Sequence, residues 1–298
     1  QTNGINDLDP VVEHKIDSIL ELMTVKEKVG QMVQYNGSFD VTGAPSDIDS
    51  KTKLEKLKNG EVGSMLNVLT AEATREAQQV VMENSRLKIP LLFGYDVIHG
   101  YKTMFPVPLG ESASWDLEAM ELSASIAAKE TAAAGVHWTF APMIDVSRDA
   151  RWGRIMEGAG EDPYLNAVIG VARIKGFQGS DLTDINTIAA CAKHFAGYGF
   201  AEAGRDYNTV NVGTSELQNA ILMPFKAAAE AGVATFMNSF NEIDGVPSTA
   251  STYLQRDILK GAWDYKGFMV SDWGSIAELI PHGYAEDKMQ AGELAVVA

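Results

Sequence analysis

Gly267-Phe268-Met269-Val270-Ser271-Asp272-Trp273 is a short apolar run that ends in a carboxylate and an indole. A run of this length, bounded by glycine and a polar residue, reads as a buried strand. It delivers Asp272 and Trp273 to the point where strand gives way to loop. In a parallel barrel that is where chemistry is done. An Asp placed there can attack a carbon, serve as a base, or cap the next helix, and the rest of the chain has to decide among these.

Six further apolar runs precede it, at Gly30–Tyr35, Gly63–Val68, Pro90–Tyr95, His137–Ile144, Thr187–His194 and Val233–Phe240. The segments between them read as helices. Thr24-Val25-Lys26-Glu27 fits a capping box, and Thr70 is an N-cap for Ala71–Arg86. Asp116–Ala134 is rich in Ala, Leu, Met and Glu and stops at Gly135, while Pro224 suits the first turn of a helix ending near Gly232. Strand–helix alternation of this kind means an α/β fold with a parallel sheet, doubly wound or closed. No Gly-rich dinucleotide turn follows the first strand, and polar residues recur at several strand ends. Both point to a TIM-type (β/α)8 barrel. Seven strands are visible, and Glu286–Ala298 reads as the helix after the seventh, so residues 1–298 are expected to form one barrel domain truncated before its eighth strand. Open strand edges would leave such a chain poorly stable and prone to aggregation.

The formal net charge of −16 argues against nucleic acid and against an anionic membrane surface, and no apolar run is long enough to span a bilayer. An uncharged small molecule is the default ligand. The first residue is Gln1 rather than Met, which predicts that an upstream segment has been removed, a signal peptide or an artificial boundary. Cys191 stands alone in an apolar stretch and reads as core. His14, His99, His137, His194 and His282 show no paired ligand spacing, so no metal and no cofactor is expected. Asn36-Gly37-Ser38 fits a glycosylation acceptor, a common triplet.

The strand ends carry the chemistry. The third run leads into Asp96 and His99, and the fourth into Asp145 and a long loop holding Arg148, Asp149, Arg151, Trp152, Arg154, Glu157, Glu161 and Asp162. The fifth ends in Lys193-His194, followed by Tyr198, Arg205 and Asp206; the sixth ends in Met237-Asn238-Ser239-Phe240-Asn241. An Asp, an Arg and a Lys-His pair aimed at one basin, with aromatics beside them, suit a polyhydroxylated ligand. Asp272 then becomes a nucleophile at an anomeric carbon, kept ionised by nearby cations. Retaining hydrolysis needs a second carboxyl group about 5–5.5 Å away. On their own, Arg148, Arg151 and His99 read as structural, and Asp206 fits ligand contact and loop support equally well.

Lys193-His194-Phe195-Ala196-Gly197-Tyr198-Gly199, Arg151-Trp152-Gly153-Arg154, Gly94-Tyr95-Asp96-Val97-Ile98-His99-Gly100 and Ser271-Asp272-Trp273-Gly274 together resemble glycoside hydrolase family 3. Their order and spacing are similar to those of the family's N-terminal (β/α)8 domain, over nearly the whole chain. Gly204-Arg205-Asp206-Tyr207-Asn208-Thr209-Val210 resembles the bacterial periplasmic β-glucosidase branch, which implies a periplasmic or secreted protein. The resemblance implies that Asp272 is the nucleophile, that Asp96, Arg154, Lys193 and His194 hold sugar hydroxyls, and that Met237 and Trp273 line the subsite. It implies a β-linked oligosaccharide or glucoside as ligand. Phe240 departs from the Tyr the family often has there. The loop after the Lys-His strand has Tyr198 and Arg205-Asp206-Tyr207-Asn208 where one branch carries an Asp-His acid/base pair. Other branches take a Glu from a following α/β sandwich domain, so the acid/base Glu is expected from a C-terminal domain or partner chain. A β-glucosidase is therefore expected, with a β-xylosidase or a catalytically incomplete sugar-binding fragment as alternatives. An isomerase or aldolase barrel using Lys193 would need a Gly-rich phosphate loop late in the chain, and none is present.

Overall fold

The computed structural model describes residues 9–37 and 50–298. Gln1 and Ser38, on which the upstream-segment and glycosylation readings rest, lie outside them. Four strands, Gln34–Asn36 (β1), Ser64–Leu66 (β2), Leu92–Tyr95 (β3) and Trp138–Thr139 (β4), pair in parallel in chain order. A second parallel sheet contains Cys191–Phe195 (β5), Thr235–Asn238 (β6) and Phe268–Val270. Isolated parallel bridges, Trp138 to Ala189 and Met143 to Lys193, link the two sheets. All seven expected strands are therefore present, in the α/β class. Between β6 and Phe268–Val270 lies an antiparallel hairpin, Glu242–Ile243 (β7) and Val246–Pro247 (β8), that patterning did not reveal; Phe268–Val270 is accordingly β9.

Several boundaries moved for local reasons. The first strand begins at Gln34 rather than Gly30, because the Thr24–Glu27 capping box starts a helix that runs to Gln31. The fourth run is broken after Thr139: Pro142 has no N–H to give a ladder, and the segment beyond it keeps only separate bonds to β5, the Ala141 and Pro142 carbonyls accepting from Cys191 and Lys193 N–H. Helix Ala71–Asn84 stops short of Arg86, whose guanidinium turns away to Glu27 at 2.7 Å. Pro224 stands in the first turn of helix Leu222–Glu230, which ends near Gly232. The proline sits inside a continuous helical run from Thr214 to Glu230, just after a π-type turn at Leu217–Ile221 that spreads the backbone pairing where its N–H is missing. Asp162, counted above among the polar loop residues, caps helix Pro163–Gln178 by accepting from Leu165 N–H at 2.8 Å. Asn36 is buried on β1 and its amide oxygen accepts from Asn67 Nδ2 at 2.9 Å, a position no glycan reaches.

Two apolar layers hold the strands. Phe195, Phe236 and Tyr265 pack outward against Phe225, Leu259 and Phe177 of the surrounding helices. Leu66, Trp138, Phe140, Cys191 and Met237 form a separate buried cluster, anchored by Trp138 Nε1 donating to Thr235 Oγ1 at 2.8 Å. Burial pushes the Cys191 thiol up to about 12, as the core reading requires. Among the described residues no helix is long and apolar enough to cross a membrane.

Helix Pro163–Gln178 crosses helix Leu117–Ala133 so closely that a β-carbon on Gly176 would lie 2.6 Å from Ala124 Cβ and against the Glu121 carbonyl. Glycine to alanine inside a helix is ordinarily stabilising by about 0.5–1 kcal/mol. Here Gly176→Ala is expected to cost about 1–3 kcal/mol through overpacking, measured by urea denaturation. A gain in stability would contradict this packing.

Candidate active site

Parallel strands put their C-terminal ends on one side, and the polar residues meet there. β3 leads into Asp96, the segment after β4 into Asp145, β5 carries Lys193 and His194, β6 ends at Asn238, and β9 leads into Asp272 and Trp273. Adjacent residues of a regular strand face opposite ways. The β5–β6 register shifts between Lys193 and Phe195, and both Lys193 and His194 reach partners in the same polar cluster.

Lys193 Nζ donates to Asp96 Oδ1 at 2.7 Å. Burial works against its ammonium, yet Asp96 above all lifts its pKa over the ordinary value. A lysine held as a cation in this way is unsuited to forming a Schiff base, which needs a neutral amine. His194 is buried, with Nδ1 2.8 Å from Asp145 Oδ2 and Nε2 3.4 Å from Asp272 Oδ2. Asp145 Oδ2 also accepts the His194 main-chain N–H at 2.9 Å. Burial drives His194 well below its usual pKa and lifts Asp145 to about 8.

Asp272 is oriented by its own neighbours. Trp273 N–H donates to its Oδ1 at 2.6 Å, and its main-chain N–H donates to Asn238 Oδ1 at 3.3 Å. Burial raises its pKa to about 6, opposed by the charge of Lys193, the Trp273 N–H and Arg154. The carboxyl is thus mostly ionised at neutral pH and poorly solvated, the condition of a nucleophile.

Arg154 makes two bonds to Glu157, at 2.7 and 2.8 Å, and its guanidinium lies 5.4 Å from the Tyr198 ring centre. Arg154 thus orders its own loop through Glu157 while its charge also reaches Asp272. Arg151 pairs with Asp149 and Arg148 with Glu216, and His99 Nδ1 contacts the Phe105 carbonyl at 3.0 Å, as structural residues would. Asp206 accepts from Trp152 Nε1 at 2.8 Å, tying its loop to an aromatic wall of Trp152, Tyr198, Tyr207 and Phe240. Phe240 has no hydroxyl and instead packs at a tilt against Tyr207, ring centres 4.2 Å apart. Met237 is buried against Trp138 and Phe140, with Trp273 packed on the same cluster. Asp145, Glu157 and Asn238 are site residues that sequence reasoning noted without assigning a role. For Asp145 and Asn238 the available signal was their position near strand ends, whereas Glu157 stood within the long loop, three residues after Arg154.

A wall of aromatic rings thus stands beside a fixed carboxylate, with a lysine, an arginine and an imidazole around it. The chain matches the model of the glycosyl hydrolase family 3 N-terminal domain over residues 24–296, and it belongs to that family. It is 41% identical over 283 residues to the periplasmic β-glucosidase of Salmonella typhimurium, covering 95% of this chain and 36% of that protein. A putative β-xylosidase of Formosa agariphila is 31% identical, covering all of this chain and 42% of that one. The crystal structure of a β-glucosidase from Listeria innocua in complex with isofagomine superposes with a TM-score of 0.89 at 40% identity, covering 95% of this chain and 39% of that one. The chain thus spans well under half the length of each of these relatives.

Because the pKa of Asp272 in the folded chain lies above its ordinary value of 3.8, the ionised carboxyl costs stability. That cost is fully present above about pH 6 and disappears below the ordinary value. Asp272→Asn is expected to stabilise the fold by about 1–3 kcal/mol at about pH 8, the gain shrinking toward about pH 4. Thermal melts across this range check it; a difference independent of pH would contradict the burial cost assigned to Asp272.

Proposed function

We propose that this chain is the (β/α)8 barrel domain of a retaining β-glucosidase, periplasmic or secreted, that releases glucose from β-linked oligosaccharides or glucosides. The observation that carries the reading is the buried Asp272 carboxyl beside Lys193 and His194 at the ends of parallel strands. The consecutive parallel order of β1 to β4, and of β5, β6 and β9, supports the barrel. Asp272 attacks the anomeric carbon to give a glycosyl-aspartate, which water then hydrolyses. Asp96, Lys193, Arg154 and His194 bind sugar hydroxyls as donors and acceptors, and Trp273 with Met237 lines the ring. Several carboxyls around Asp272 already have partners, Asp96 on Lys193, Asp145 on His194, Glu157 on Arg154 and Asp206 on Trp152. This supports an acid/base Glu supplied from outside the barrel, by a further domain or a partner chain.

An aryl β-glucoside loses its leaving group with little acid assistance, so it reports on the nucleophile even where the acid is weak. The protein is expected to hydrolyse aryl β-glucosides with β-glucose as the first product seen by NMR. Asp272→Asn is expected to lower the rate by about 10⁴-fold. α-Glucose as first product would overturn the retaining mechanism. A higher kcat/KM for aryl β-xyloside than for aryl β-glucoside would favour the xylosidase alternative, and glucose binding without any turnover the inert sugar-binding one.

A further inference from the structure

Six buried side-chain polar atoms lack a hydrogen-bond partner among the described residues, and three of them lie along one line: Asp145 Oδ1, His194 Nε2 and Asp272 Oδ2. Buried polar atoms without partners are rare, and three on one connected chain of groups call for an explanation. The chain is Asp145 Oδ2, then Nδ1 of His194 at 2.8 Å, then from Nε2 to Asp272 Oδ2 at 3.4 Å. A neutral imidazole carries one ring hydrogen. If it sits on Nδ1, an ionised Asp145 accepts it, and the bare lone pair of Nε2 confronts a lone pair of Asp272, with two unscreened carboxylates buried on either side. If it sits on Nε2, that hydrogen rather than a lone pair faces Asp272 Oδ2, 3.4 Å away. Nδ1 then has to accept, and among the described residues the only group in position to give it a hydrogen is the Asp145 carboxyl.

We propose that Asp145 is a positioning residue for the nucleophile: as a carboxylic acid it donates to Nδ1 and holds His194 in the form whose Nε2–H faces Oδ2 of Asp272. This assigns the hydrogen on each ring nitrogen and the charge on each carboxyl, and it rests on the reading of Asp272 as nucleophile. Burial acts in the same direction, lifting Asp145 and lowering His194. The charged and titratable groups that face this cluster are Lys193 from β5, Asp96 from the end of β3, Arg154 and Glu157 from the loop after β4, Tyr198, Asp206 and Tyr207 from the loop after β5, and Glu278 from the turn beyond Trp273. None of them makes a hydrogen bond to the imidazole.

Asp145→Asn tests this with nearly unchanged shape. The His194 main-chain N–H points at the Oδ2 position, so the amide must place its oxygen there. That oxygen only accepts, which forces the ring hydrogen onto Nδ1 and leaves Nε2 bare against Asp272. Long-range ¹H–¹⁵N NMR of histidine-labelled protein, with His194→Gln used for assignment, is expected to show protonated Nε2 and unprotonated Nδ1 in the parent and the reverse in Asp145→Asn. The acid limb of kcat/KM for an aryl β-glucoside is expected to move up by about one pH unit in Asp145→Asn, as Asp272 loses a donor. A hydrogen on Nδ1 of His194 in the parent, in a neutral ring or an imidazolium, or an acid limb that stays or moves down, overturns the proposal. If Asp145→Asn does not fold, the parent spectrum decides alone. A parent with Nε2–H and no glucoside turnover overturns the glucosidase reading and leaves this assignment standing.

Discussion

The rest of the site depends on one electrostatic constraint: a carboxyl taken out of water at the end of β9 and kept close to ionisation. Burial alone would neutralise Asp272. Lys193 and Arg154 oppose that, but Lys193 is itself removed from water and Arg154 partly so, and each is compensated in turn. Lys193 is held by Asp96 and Arg154 by Glu157. The charges therefore come as a linked set, and deleting Asp96 leaves Lys193 buried without its counter-charge.

Those members come from the ends of β3, β5 and β9 and from the loop after β4, so the electrostatics hold only if the strands are in register. The Trp138, Phe140, Cys191 and Met237 cluster sets that register from within, and the helices pack against Phe195 and Phe236 from outside. The aromatic wall adds a second tie. Tyr198 lies edge-on to both His194 and Trp152, and Trp152 is in turn bonded to Asp206. Loop, wall and charge cluster are thus one assembly, built on membership of glycosyl hydrolase family 3.

Much of this was legible in the sequence because strands announce themselves by apolar runs and their ends by polar residues. Asp96, Lys193, His194 and Asp272 were named from that pattern, and the structure brings them together. Asp145 was visible as a strand-end Asp, but nothing in a sequence distinguishes a carboxyl buried on an imidazole from one that caps a loop. Lys193 and His194 are neighbours in the chain, and simple alternation would separate their faces; the register shift that lets both reach the cluster depends on pairing with β6. The β7–β8 hairpin is too short for periodicity to show, and the helix through Pro224 depends on a π-type turn that propensity does not encode. The first strand was displaced because a strong capping box outweighed an apolar run.

The central claim is that Asp272 forms a covalent bond to the sugar. Incubation with a 2-deoxy-2-fluoro β-glucoside bearing a good leaving group, followed by peptide mass spectrometry, tests it directly. The account predicts a single fluoroglucosyl adduct on Asp272 that forms as activity is lost. An adduct on another residue, or inactivation without an adduct, would contradict it.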